Sequence, residues 1–171
     1  FYEPLSAGDR LMVVKNNYHW LEQDSEAGFI ANGDIIRIKE ILRTEEKYGF
    51  HYADVRMELP DYPLQGSTEV KLILDTISSE SSALSSEQNK MIFEAINEKH
   101  KKIKKAPDRL RAVYTDPYYN ALQVKFGYAI TCHKAQGGQW PSVFVDSGFV
   151  NETSSSTELL RWLYTAFTRA S

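Results

Sequence analysis

Between Tyr52 and Leu59 the sequence alternates without a break: Tyr52, Asp54, Arg56 and Glu58 fall on one side, Ala53, Val55, Met57 and Leu59 on the other. That order suits an extended strand with one buried face, because successive side chains of a strand point in opposite directions. Further short apolar runs occupy the same part of the chain, at Arg10–Lys15, Gly28–Gly33, Ile35–Leu42 and Glu69–Leu74. Asn32-Gly33 suits a tight turn between two of them, since both residue types tolerate positive φ. About five short strands in the first 75 or so residues predict a small antiparallel barrel or sandwich.

The pattern changes after residue 77. Ser78 to Ser86 is small and polar, the composition of a loop. A helix is predicted next: Ser85 or Ser86 can cap it, Glu87 and Gln88 suit its first turn, and Met91, Ile92, Ala95, Ile96 and Ile103 share a face. Pro107 is expected to end it. Its far end is basic. Lys99, Lys101, Lys102, Lys104, Lys105, Arg109 and Arg111 are opposed only by Asp108, so a net +6 there is set against −9 elsewhere in a chain of total charge −3. Such a run either offsets the helix dipole on a solvated surface or contacts phosphates.

What the sequence lacks is also informative. At 171 residues the chain has room for about one domain plus a small insertion. No Gly is followed by Lys, so the G-x-x-x-x-G-K-[ST] phosphate loop is missing and the chain by itself cannot be a complete P-loop motor. Cys132 is the sole cysteine, which excludes an internal disulfide and fits a reducing, cytoplasmic setting. No apolar run approaches the roughly 20 residues needed to cross a bilayer. Neither a secretory signal nor an initiator Met opens the chain, so we expect a piece of something longer. His19, His51, His100 and His133 are scattered without zinc spacing, so no metal site is expected. Cys132 and His133 are neighbours and would point different ways, which argues against a thiolate–imidazole pair.

Two segments carry the chemistry. Gly127–Thr131 reads as a buried strand, followed by Cys132-His-Lys-Ala-Gln-Gly-Gly-Gln-Trp140 and by a second strand at Ser142–Asp146. Thr131, His133, Lys134 and Gln136 crowd hydrogen-bonding groups at a strand's C-terminal end, where open α/β sheets place ligands. Gly137 and Gly138 would let a backbone or a phosphate come close. The segment from Thr157 onward reads as an amphipathic helix capped by Ser156 or Thr157, with Leu159, Leu160, Leu163 and Phe167 inward. Arg169 lies at its end beside Thr165 and Thr168, where it could simply interact with last-turn carbonyls.

Thr131–Trp140 resembles motif V of superfamily 1 helicases, and Leu-Tyr-Thr-Ala-Phe-Thr-Arg-Ala at 163–170 resembles their motif VI. The His-Lys-x-Gln-Gly form is similar to the RecD-like branch, as is Gly8-Asp9-Arg10-Leu-Met-Val-Val-Lys-Asn16-Asn17-Tyr18 leading to Asn32-Gly33. The resemblance implies an α/β fold: a partial RecA-like (P-loop NTPase) second lobe over 113–171, a small SH3-like β-barrel insertion over 1–77, and a Ser-rich loop with a basic helix over 78–112. It implies an ATP-dependent DNA helicase whose ATP and Mg²⁺ are held mainly by an N-terminal RecA-like lobe outside this chain. Arg169 would then be the arginine finger, with Gly137, Gly138 and Gln139 lining the ATP cleft. Gln139 stands where related members often carry Glu. Thr131, His133, Lys134 and Gln136 would face single-stranded DNA, contacting phosphates without reading sequence. Trp140 reads better as packing. Further implied partners are duplex DNA and a nuclease or recombination complex. The competing reading is a non-catalytic nucleic-acid or protein-binding domain with vestigial motor motifs, since a chain without a P-loop cannot hydrolyse ATP alone.

Overall fold

The computed structural model describes residues 5–136, 138–146 and 156–170. The chain divides into two units, Phe1–Tyr128 and Ala129–Ser171.

The first unit is a closed five-stranded barrel. Its strands are β1 (Arg10–Val13), β2 (Ile35–Lys47), β3 (Phe50–Glu58), β4 (Ser67–Ile73) and β5 (Leu122–Phe126). Neighbouring pairs are antiparallel, except that β5 runs parallel to β4 and antiparallel to β1. Ala53, Val55, Met57 and Leu59 all face the core, where they meet Leu11, Val13, Ile36, Ile38, Val70, Leu72 and Val124. On the opposite side of β3, Phe50 and Tyr52 pack with Ile73, Ile92, Ile96 and Val113 in a second apolar cluster. Burial on both faces is why Tyr52, although in phase with Asp54 and Arg56, is fully covered.

Several boundaries differ from the sequence pattern. Strand β2 continues past Leu42 to Lys47, and the hairpin to β3 turns at Tyr48-Gly49, both with positive φ (55° and 78°). That is the geometry that matches the twist of two-residue hairpins. At the Asn32-Gly33 turn only Gly33 takes positive φ, at 106°. Gly28–Gly33 is not a strand, and pairs only through an isolated bridge between Ile30 and Asn17. The barrel's closing strand comes from Leu122–Phe126, well beyond residue 77. Gly127 follows it without a strand; a Cβ there would lie 3.3 Å from the Arg10 carbonyl, so Gly permits the close exit past β1.

Between β4 and β5 the chain forms α1 (Asp75–Ser78), α2 (Ser86–Lys99) and α3 (Ala106–Tyr114). Thr76, fully buried, donates from Oγ1 to the carbonyls of Ile73 and Val124 and accepts from the Val124 amide, stitching α1 to β5. Ser85 caps α2 in a reciprocal capping box with Gln88. Pro107 does not end this helix. It lies in the first turn of α3, where its missing N–H goes unmissed, while α2 stops at His100. Of the expected inward face of α2, Ile92 and Ile96 are buried but Met91 is exposed.

In the second unit, α4 spans Ser156–Phe167. The expected caps Ser156 and Thr157 both lie inside the helix. Leu159, Leu163 and Ala166 are covered to varying degrees, whereas Leu160 and Phe167 are exposed together with Tyr164, spaced by four and three residues along a second apolar stripe. Residues 142–146 form no strand, because no neighbour among the described residues hydrogen-bonds to them in a ladder. Likewise 127–131 forms no strand, and the chain bends at Tyr128 and Ala129 before the turn.

Candidate functional site

The chain between Thr131 and Gly138 is wound into successive tight turns. The Ala135 amide donates to the Thr131 carbonyl at 3.1 Å, Gln136 to His133 at 3.3 Å and Gly138 to Ala135 at 3.1 Å. Ala135 is buried beneath these turns, and the side chains of Thr131, His133, Lys134 and Gln136 are turned to the surface. Thr131 also accepts the Lys134 amide on its hydroxyl at 3.4 Å. Neither His133 nor Lys134 forms an ion pair among the described residues, so a hydroxyl, an imidazole, an ammonium and an amide are displayed together on one turn.

The turn is tied to the end of α4. Cys132 Sγ donates to the Trp162 carbonyl at 3.6 Å. The Trp140 amide donates to the Arg169 carbonyl at 2.9 Å, and Trp140 pairs with Ala170 in an isolated parallel bridge. Arg169 itself donates from Nε to the Thr165 carbonyl (3.2 Å), from Nη1 to the Gly138 carbonyl (3.3 Å) and from Nη2 to the Thr168 hydroxyl (3.2 Å). Two of these acceptors belong to the last turn of its own helix and the hydroxyl adjoining it. The third belongs to the 131–140 segment. A guanidinium carries five N–H donors, so one N–H on each terminal nitrogen has no acceptor among the described residues.

Thus Gly138 and Arg169 are in direct contact, while Gln139 is exposed beside them. Gly137 lies outside the described residues. At Gly138 the space a Cβ would need is filled by the Trp140 indole, so here glycine admits a ring of its own chain. Trp140 lies over Gly138 yet is itself exposed, with no strand on either side of the turn among the described residues. Sequence order alone did not reveal that Trp140 and Ala170 would pair, nor that Cys132 would bond to α4.

No cluster of His, Cys and carboxylate side chains suited to a metal ion occurs among the described residues. Among the described residues no helix is long and apolar enough to cross a membrane.

The first unit holds a separate polar cluster that no sequence pattern marked. Lys71, 5% exposed, is bonded to Asp54 at 2.5 Å and Glu45 at 3.2 Å. Tyr118 donates its hydroxyl to Glu45 at 2.6 Å, and both Lys47 and Lys71 lie over its ring. The Tyr118 bond, assisted by Lys71 and Arg43 and opposed by burial, brings the Glu45 carboxyl from an ordinary 4.5 down to about 2. Nearby, Asp116 is 4% exposed and accepts from Lys99 at 2.5 Å and from the Tyr118 amide at 2.9 Å, with His100 Nε2 at 3.2 Å. Burial alone would raise the Asp116 carboxyl, yet these donors hold it below its usual range. The cluster fixes the base of the α2–α3 pair against β2 and β4.

The UvrD-like helicase C-terminal domain family matches residues 126–171, a stretch that contains both the 131–140 turn and α4. An uncharacterized protein of Acanthamoeba polyphaga mimivirus is 28% identical over 167 residues, covering 93% of this chain and 33% of that protein. The chain therefore spans about a third of the length of this relative. The family match supports a superfamily 1 helicase C-terminal region at this end of the chain and, with it, nucleic-acid binding in a broad sense.

Proposed function

We propose that the chain is the C-terminal motor-lobe part of an ATP-dependent, RecD-like DNA helicase, with residues beyond Tyr128 contributing to a RecA-like lobe and the barrel inserted ahead of it. The observation that carries this reading is the contact between Arg169 and Gly138: the two segments that resemble motor motifs meet at a guanidinium with donors to spare. An arginine suits a phosphoryl-transfer site because it stays charged and its fork matches phosphate oxygens.

In this reading Arg169 is the finger that stabilises charge on the γ-phosphate, held in place by Thr165, Thr168 and Gly138. Gly137, Gly138 and Gln139 flank the nucleotide. ATP and Mg²⁺ are held mainly by the partner lobe, and that lobe supplies the phosphate loop. Thr131, His133, Lys134 and Gln136 contact single-stranded DNA phosphates, and the shared turn couples the two sides. Removing the arginine in the full-length protein, Arg169→Ala, is expected to abolish ATP turnover while sparing most nucleotide binding. Turnover at the parent rate would overturn the finger assignment.

A non-catalytic nucleic-acid or protein-binding module is the second reading, favoured by one observation: Arg169 is already bonded within its own chain. The two part on the full-length gene. A G-K-[ST] loop and an acidic Walker B residue upstream support the motor, and their absence supports the binding module.

A further inference from the structure

The basic stretch of the first unit is not uniform once its partners are known. Lys99 is committed to Asp116, and Lys101 pairs with Glu98. Lys102, Lys104, Lys105, Arg109 and Arg111 have no carboxylate partner among the described residues, and Asp108 is the lone acid between them.

An aromatic group lies alongside. Tyr114, one turn on from Arg111, is 53% exposed. Its ring meets Tyr119 edge-on at 5.5 Å and Phe93 at 6.2 Å, so it is braced from behind while its outer side is open. Lysines before the first turn of α3 and an exposed ring at its last residue, about 14 Å on along the helix, suit a single strand: phosphates meet the cations and a base farther along stacks on the ring. A duplex offers no unstacked base, and an acidic polypeptide offers no flat one.

We propose that the α2–α3 hairpin is a second single-stranded DNA contact, in which the exposed Lys102, Lys104, Lys105 and Arg111 hold phosphates and Tyr114 stacks a base. The proposal rests on the DNA-binding reading above but uses a surface in the other unit.

The test is fluorescence anisotropy of a labelled oligo-dT with the 171-residue chain over a salt series. Replacing Lys104, Lys105 and Arg111 by Gln is expected to flatten the slope of log affinity against log salt by about 2. Tyr114→Ala is expected to weaken binding roughly 5- to 150-fold, with Tyr114→Phe within about twofold of the parent. Thermal melts confirm that these exposed positions leave the fold intact, and Lys134→Ala runs in parallel. If the hairpin variants bind like the parent while Lys134→Ala weakens binding and flattens the slope, the hairpin proposal is wrong and the first reading stands. If the hairpin variants weaken and Lys134→Ala does not, the hairpin stands and the DNA role of Lys134 falls. Equal loss with Tyr114→Ala and Tyr114→Phe, or displacement of the oligonucleotide by polyglutamate at matched charge, overturns the stacking contact in favour of an acidic protein. No binding by the parent overturns both.

Discussion

Replacing Lys71 by Met should expose how much the barrel depends on the buried ionic cluster on its outer face. The thioether roughly keeps the volume of the lysine stem but removes the cation that bonds Asp54 at 2.5 Å and Glu45 at 3.2 Å. Stripping one partner from a buried ion pair costs about 3–5 kcal/mol, because the remaining charge is left uncompensated. Here the loss is smaller. The Asp54 side chain is 34% exposed and can take up water, and Glu45 keeps the Tyr118 hydroxyl at 2.6 Å. We expect about 2–3 kcal/mol at neutral pH, read as amide exchange in β3 and β4 accelerated roughly 30- to 150-fold. The pH dependence has a definite sign. Glu45 is depressed from 4.5 to about 2 on folding, so its contribution is complete above pH 4.5 and is lost as pH falls through about 2. The difference between parent and variant should therefore shrink across that window. Adding Glu45→Gln and Asp54→Asn to Lys71→Met should restore much of the loss at pH 7. Exchange accelerated less than about threefold, or a difference that does not change with pH, would refute the reasoning.

Other perturbations test separate joints. Thr76→Val leaves the Val124 amide without its side-chain acceptor and should destabilise the β4–β5 junction by about 2 kcal/mol in urea unfolding, with Thr76→Ser largely rescuing it. Ser85→Ala removes the cap on the Gln88 amide and should cost about 1 kcal/mol, seen as faster exchange confined to the first turn of α2. Gly138→Ala drives a methyl into the Trp140 indole, so it should shift tryptophan emission and lower ATP turnover of the full-length protein; Gly138→Ala combined with Trp140→Leu should recover the turnover.

The barrel strands were legible wherever one face met water. Ala53, Val55, Met57 and Leu59 alternate with polar residues and are all buried, so period two was enough. The second half of β2 was not, because Arg43–Lys47 holds no apolar residue, and Glu45 and Lys47 find Tyr118 only in tertiary structure. Strand β5 was missed: a strand was read at Gly127–Thr131, where there is none, and nothing local in Leu-Gln-Val-Lys-Phe says that it pairs with both β1 and β4. Pro107 signalled a boundary correctly but not its direction, since proline is as much at home in a first turn as beyond a last one. In the candidate site the residue types and their order could be read directly. The bonds from Arg169 to Gly138 and from Cys132 to Trp162 could not, because they depend on how α4 lies along the turn. The Leu160 and Phe167 stripe misled for a related reason: α4 is apolar on more than one side, and periodicity does not say which side is covered.

The parallel pairing of β5 with β4 bears on how the gene can be cut. A boundary drawn after residue 77 follows the change in composition, yet it removes the strand that joins β4 back to β1. What is left is an open four-stranded sheet whose two outer strands present unsatisfied amides and carbonyls, a template for pairing with other chains. A piece ending at 77 should precipitate or form intermolecular sheet, whereas one that runs through Tyr128 keeps every barrel edge closed and is the better unit for expression.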